Sequence, residues 1–113
     1  MLKPLIWEGT SLSDFVDFPV QVQKDLGFRL HLVQTGRFSP DCRPWKGLGA
    51  GVFELRSSFQ GNAFRVVYFV KLEDAIHVLH AFQKKSPSGI ATARSDIALI
   101  EKRLRELLIR SKT

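Results

Sequence analysis

Apolar residues recur along this chain with two periods, and the change of period divides it into segments. Val22, Leu26, Leu30 and Val33 follow one another at spacings of four, four and three, which places them on one helical face. Asp17-Phe18-Pro19 reads as the start of that helix, because proline is preorganised for a first helical turn. Gly27 weakens the helix and Gly36 is placed to end it. Before it, KPLIWE (3–8) predicts a short strand and Ser11 to Asp17 a short helical turn. Further on the period shortens to two. VFELRSSF (52–59), AFRVVYFVK (63–71) and AIHVLHAFQ (75–83) predict three strands, separated by Gln60-Gly61-Asn62 and Glu73-Asp74. Two short turns in succession imply an antiparallel meander. Ile97, Ile100, Leu104 and Leu107 then predict a C-terminal helix, capped by Thr92, with Lys102, Arg103, Arg105 and Arg110 on a solvated face.

This order predicts an α+β fold in one domain, residues 1–113. A small antiparallel sheet, the meander plus the N-terminal strand, packs with N-terminal helices and a C-terminal helix. At 113 residues and 44% hydrophobic content, one core is affordable without a disulfide or structural metal. Cys42 is the single cysteine, so no intramolecular disulfide forms. No segment approaches the ~20 apolar residues of a membrane span, and the first residues lack the apolar core of a signal peptide. A soluble cytoplasmic protein is expected.

Net charge is +6, from 17 Lys and Arg against 11 Asp and Glu, which points to a polyanionic partner. The long loop GRFSPDCRPWKGLGAG (36–51) contributes Arg37, Arg43 and Lys46, with Trp45 and Phe38 able to stack on bases or to pack on the core. HAFQKKSPSG (80–89) ends an apolar run in two lysines before a Ser-Pro-Ser-Gly break.

Strand parity locates the cations. If Phe59 pairs with Phe64, then Arg56 faces Val67 and shares a side of the sheet with Arg65. If Leu72 pairs with Ala75, then Arg65 faces Phe82 and Val67 faces His80. Arg56, Arg65, His80 and Lys84 then converge on one face, with Glu54 among them, provided no bulge intervenes. Phe53, Leu55, Phe64, Val66, Tyr68 and Leu79 fall on the other, where helices pack. Lys85 alternates away from Lys84 and is a candidate phosphate contact.

Arginine offers a planar fork of donors that matches phosphate. Lysine crowded by cations loses its proton more readily and can act as acid or base. RNA carries its own nucleophile, the 2′-hydroxyl, so such a cluster suits metal-independent RNA cleavage. Other chemistry is poorly supported. GLGAG (47–51) lacks the Lys-Ser/Thr of a phosphate loop. His77 and His80 are three apart in a strand, so alternation sends them to opposite faces and no shared metal is expected. His31 reads as a surface or core-edge residue. No cofactor is expected.

As a set, LGAGVFELRSS, FRVVYFV and LHAFQKKS (most specifically residues 47–86) resemble the RelE/ParE superfamily of type II toxin–antitoxin toxins, closest to its phage-related, HigB-like branch. The resemblance implies a RelE-like fold and a ribosome-dependent mRNA endonuclease, or mRNA interferase, that arrests translation. It implies neutralisation by a helix-turn-helix, HigA-like antitoxin. By motif position Arg56 matches a substrate-binding or catalytic arginine, and Arg65 the arginine that stabilises the transition state. Lys84 and Lys85 match the basic cluster ending the last strand. Catalytic residues are therefore expected among Arg56, Arg65, Lys84 and His80, with RNA bound by Arg43, Trp45, Lys46 and Lys85. Glu54 stands where RelE-type members carry a basic residue. No tyrosine follows residue 68, where those members have a catalytic one, which leaves Lys84 or His80 for acid–base work. Two alternatives remain: a ParE-like DNA gyrase inhibitor, and a non-catalytic phage-derived protein that binds nucleic acid.

Overall fold

The periodicities translate into eight elements. They are β1 (Leu5–Trp7), α1 (Ser11–Val16), α2 (Val20–Gln34), β2 (Arg43–Pro44), β3 (Val52–Phe59), β4 (Asn62–Phe69), β5 (Ile76–Lys84) and α3 (Arg94–Arg110). The structure is a computed structural model, and it describes residues 2–37, 42–70, 75–84 and 93–112. Five strands form one sheet in the order β1-β5-β4-β3-β2. β3, β4 and β5 form the antiparallel meander, β2 adds an antiparallel edge, and β1 joins β5 in parallel. The long loop therefore contains a short strand that the pattern does not show: Arg43 pairs with Glu54 and Pro44 with Phe53. The expected Glu73-Asp74 turn, the Thr92 cap, Phe38 and the Ser-Pro-Ser-Gly break lie outside the described residues.

Both faces of the sheet are covered. On one, Val22, Leu26, Leu30 and Val33 of α2, with Phe15 and Phe18, pack on Leu55, Phe64, Val66, Tyr68, Val78 and Ala81. On the other, Ile100, Leu104 and Leu107 of α3 pack on Val52, Val67, Phe69, Leu79 and Phe82. Each apolar stripe read from the sequence thus finds a sheet face.

Two registers differ instructively from expectation. The first hairpin closes at Phe59–Asn62 rather than Phe59–Phe64, so Arg56 lies directly opposite Arg65. Gln60 and Gly61 both have positive φ, 51° and 79°, as a two-residue primed turn requires. The shift is two residues, so parity and therefore faces are unchanged. In the second hairpin Arg65–Phe82 and Val67–His80 pair as expected, but an irregularity at Val67/Tyr68 then brings Tyr68 opposite Val78. Leu79 and His80 both turn toward α3 in consequence. Leu79 therefore sits with Phe82 on the α3 side, not with Tyr68.

α3 is also held by polar contacts. Arg103 donates to the Leu79 carbonyl at 2.8 Å and to Thr10 Oγ1 at 2.9 Å. Arg110 donates to Glu8 Oε1 at 2.6 Å, and Glu8 Oε2 lies 2.9 Å from His77 Nδ1. Arg103 and Arg110 thus fasten α3, though Arg110 keeps 56% of its side chain exposed, and Lys102 and Arg105 lie on the solvated face as expected. Gly9, at φ 56°, leaves room for Arg103, because a Cβ there would lie 2.6 Å from its Nε. Gly9→Ala should destabilise the fold by about 1–2 kcal/mol, measured by urea unfolding.

Candidate active site

Glu54, Arg56, Arg65 and Lys84 meet on the α3 face of the sheet, carried by three adjacent strands. β3 supplies Glu54 and Arg56, two residues apart and so on one side. β4 places Arg65 opposite Arg56, and β5 places Lys84 opposite Ala63, one step along that side from Phe82. Arg56 Nη2 lies 3.5 Å from Glu54 Oε1, and Arg65 Nε lies 3.7 Å from Glu54 Oε2. The cations differ in access. Arg56 has 42% of its side chain exposed, Arg65 only 6%, and Lys84 is half-buried.

The local field follows from this crowding. Burial lowers the affinity of Arg65 for its proton, Glu54 opposes that, and Arg56 adds to it. Lys84 is also held below the ordinary lysine value, first by desolvation and then by Arg65 and Arg56, with Glu54 acting the other way. The arginines remain cations, while Lys84 becomes the cluster's more willing proton donor.

His80 is close to the cluster but engaged elsewhere. Its Nε2 lies 2.7 Å from Asp96 Oδ1, its Nδ1 is 3.5 Å from Arg103 Nη1, and its ring stacks on Phe82 at 4.8 Å. It is 5% exposed. His77 lies on the same face, contrary to strict alternation, because the bulge intervenes; yet its carboxylate partner is Glu8, not Asp96. Among the described residues no group of three or more metal-ligating side chains gathers.

The loop candidates separate. Arg43 and Lys46 are exposed, whereas Trp45 packs with Leu48 against the α3-side core, its backbone N–H donating to the Val52 carbonyl at 2.8 Å. Lys85 lies outside the described residues. Tyr68, the single tyrosine, lies on the opposite face at 3.0 Å from Cys42 Sγ. Burial and that contact push its phenol well above the ordinary tyrosine range, so it offers the cation face no proton.

Sequence reasoning passed over the supports. Arg29 of α2 is buried, donates to the Arg56 carbonyl, and lies 3.9 Å from Asp25, which accepts from Ser57 Oγ at 2.6 Å. Among the described residues the β2–β3 pairing reaches Glu54, and α2 steadies β3 two residues further on, at Arg56. Asp96, Ile100, Arg103, Leu107 and Arg110 repeat at four, three, four and three, so the polar fasteners lie beside the apolar stripe. That spacing was the available signal.

The architecture is that of the RelE toxins. A double arginine-to-alanine mutant of E. coli toxin RelE, solved in the free state, superposes with a TM-score of 0.59 at 13% identity, covering 94% of this chain and 98% of that one. Residues 13–105 match the family model described as "Phage derived protein Gp49-like (DUF891)", and the chain belongs to that family. Family and fold thus rest on separate findings: the chain is a Gp49-like protein by sequence and has a RelE-like fold by structure. No curated protein matches the sequence. No described helix is long and apolar enough to cross a membrane.

Proposed function

We propose that this protein is the toxin of a type II toxin–antitoxin system and acts as a ribosome-dependent mRNA endonuclease, neutralised by a helix-turn-helix, HigA-like antitoxin. The carrying observation is the convergence of Arg56, Arg65 and Lys84 on one sheet face. The reaction needs neither metal nor cofactor. The 2′-hydroxyl of a bound nucleotide loses its proton to solvent water and attacks the adjacent phosphorus, forming a 2′,3′-cyclic phosphate as the P–O5′ bond breaks and the 5′-oxygen leaves with a proton. Arg56, the exposed fork, grips the substrate phosphate. Arg65 is buried beside Glu54 and stabilises charge building on the phosphoryl oxygens. Lys84 protonates the leaving oxygen. His80 acts as a positioning residue, fixing Phe82 and α3 behind the cluster. Arg43 and Lys46 extend the cationic surface, Trp45 anchors their loop, and Lys85 is a backbone-phosphate contact.

The test is controlled expression without a partner. Growth should stop and transcripts should be cut within codons; intact transcripts would overturn the reading. A second reading draws on Glu54, which partly neutralises the arginines. In it the chain inhibits a partner by binding, as a ParE-like toxin does with gyrase, and Lys84→Ala stays toxic.

The state of Lys84 sets a pH dependence. Its pKa lies below the ordinary 10.5, so the proton-donating form is lost earlier as pH rises. Cleavage should therefore fall on an alkaline limb that begins below the range of an ordinary lysine. Lys84→Arg keeps the charge but does not titrate there. It should abolish the limb and lower the plateau about 10²-fold, read from rate–pH profiles.

A further inference from the structure

The cation face contains its own anion. Glu54 is 9% exposed, and its Oε2 is buried without a hydrogen bond to any described residue. A buried carboxylate in that condition costs several kcal/mol unless charge offsets it. The offset comes from two arginines that would otherwise repel each other, since Arg56 and Arg65 are direct cross-strand neighbours. Glu54 reaches toward both, one oxygen to each, at 3.5 and 3.7 Å. Those separations exceed the ~2.7–2.9 Å of a tight charge-assisted bond. The more exposed Arg56 is held in place by Glu54 without being locked to it.

A carboxylate and a phosphodiester present the same feature to a guanidinium: two oxygens sharing one negative charge. We propose that Glu54 is an internal stand-in for the substrate phosphate. It keeps the forks of Arg56 and Arg65 assembled in the unloaded site, and an arriving phosphate displaces it from the more exposed Arg56. Each single phosphate must then outcompete a resident like charge. The site therefore rejects isolated mononucleotides and takes chains, whose further phosphates reach Lys84, Lys46 and Arg43. The inference rests on the RNA reading for its natural ligand, but its physical content is competition for the arginines by any phosphate.

Glu54→Gln tests it, because glutamine keeps the shape and removes the charge. The probe is a single-stranded decanucleotide with 2′-deoxy sugars, which cannot be cleaved, titrated by fluorescence anisotropy at several salt concentrations. The variant should bind about tenfold more tightly at low salt. The slope of log K against log salt should steepen by about 0.7, one further phosphate neutralised. Adenosine 5′-monophosphate should gain proportionally more. Glu54→Gln/Arg56→Gln should return the slope to the wild-type value. Unchanged or weaker binding by a Glu54→Gln protein with native circular dichroism overturns the inference, because a purely structural carboxylate would behave that way. If the variant loses its fold, inorganic pyrophosphate titrated into Glu54→Asp substitutes: the shortened carboxylate should compete less and binding should tighten, and weaker binding overturns the inference. Tighter pyrophosphate binding by Glu54→Gln, with no decanucleotide binding by either protein, supports the internal anion and removes the RNA reading.

Discussion

Arg65→Ala is expected to lower the rate of transcript cleavage about 10²–10³-fold, the loss that follows removal of one preorganised donor to a transition-state charge. Ribosome-bound mRNA incubated with purified protein, with the new ends mapped by primer extension, gives the rate. The size of the effect follows from burial. Arg65 has 6% of its side chain exposed and lies on the central strand of the sheet, so its fork reorganises little between unloaded and reacting states. The exposed Arg56 should behave differently. Its loss should weaken binding more than turnover, raising KM before it lowers kcat. Arg65→Ala also leaves Glu54 buried with a weaker counter-charge, so some loss of stability is expected. Arg65→Ala/Glu54→Gln should recover that stability and remain inactive. Cleavage by Arg65→Ala at the wild-type rate, in a protein with native circular dichroism, would sink the catalytic reading.

Much of this site was legible from parity alone. Arg56 and Arg65 share a face whether the hairpin closes at Phe64 or at Asn62, because the two registers differ by an even step. Lys84 joins them because pairing from Val67 through Ala63 is regular. The part that was not legible lies beyond the bulge. No residue type announces that Leu79 and His80 will turn to the same side, since a bulge depends on how the two strands and α3 pack together. The same irregularity brings His77 to the α3 face, where it meets Glu8, itself held by Arg110. Sequence distance hid these partners: Glu8 and Arg110 come from opposite ends of the chain. The placement of α3 was hidden for a related reason. Its stripe requires an apolar surface, and the cation-bearing face supplies one only because Val52, Val67, Phe69, Leu79 and Phe82 lie on that face too. That face is therefore half core and half candidate site.

On the proposed function, this division makes α3 the element through which stability and cleavage would be joined. Ile100 is fully buried between α3 and the sheet. Ile100→Ala should cost about 3–4 kcal/mol, removing a large side chain from a closed core. The drop in urea midpoint, with m unchanged, measures it. The consequence should extend beyond stability. Asp96, one turn before Ile100, fixes His80, and Arg103, about one turn after it, holds the Leu79 carbonyl. Loosening α3 therefore relaxes β5 at its bulge, upstream of Lys84, while β3 keeps its support from Arg29 on the opposite face. Ile100→Ala should accordingly lose turnover at temperatures where it is still folded, with the oligonucleotide affinity carried by Arg56 largely retained. A stabilising ligand that restored the urea midpoint without restoring turnover would separate the two effects. Equal losses of affinity and turnover would show that α3 supports the whole sheet face, not the Lys84 side of it.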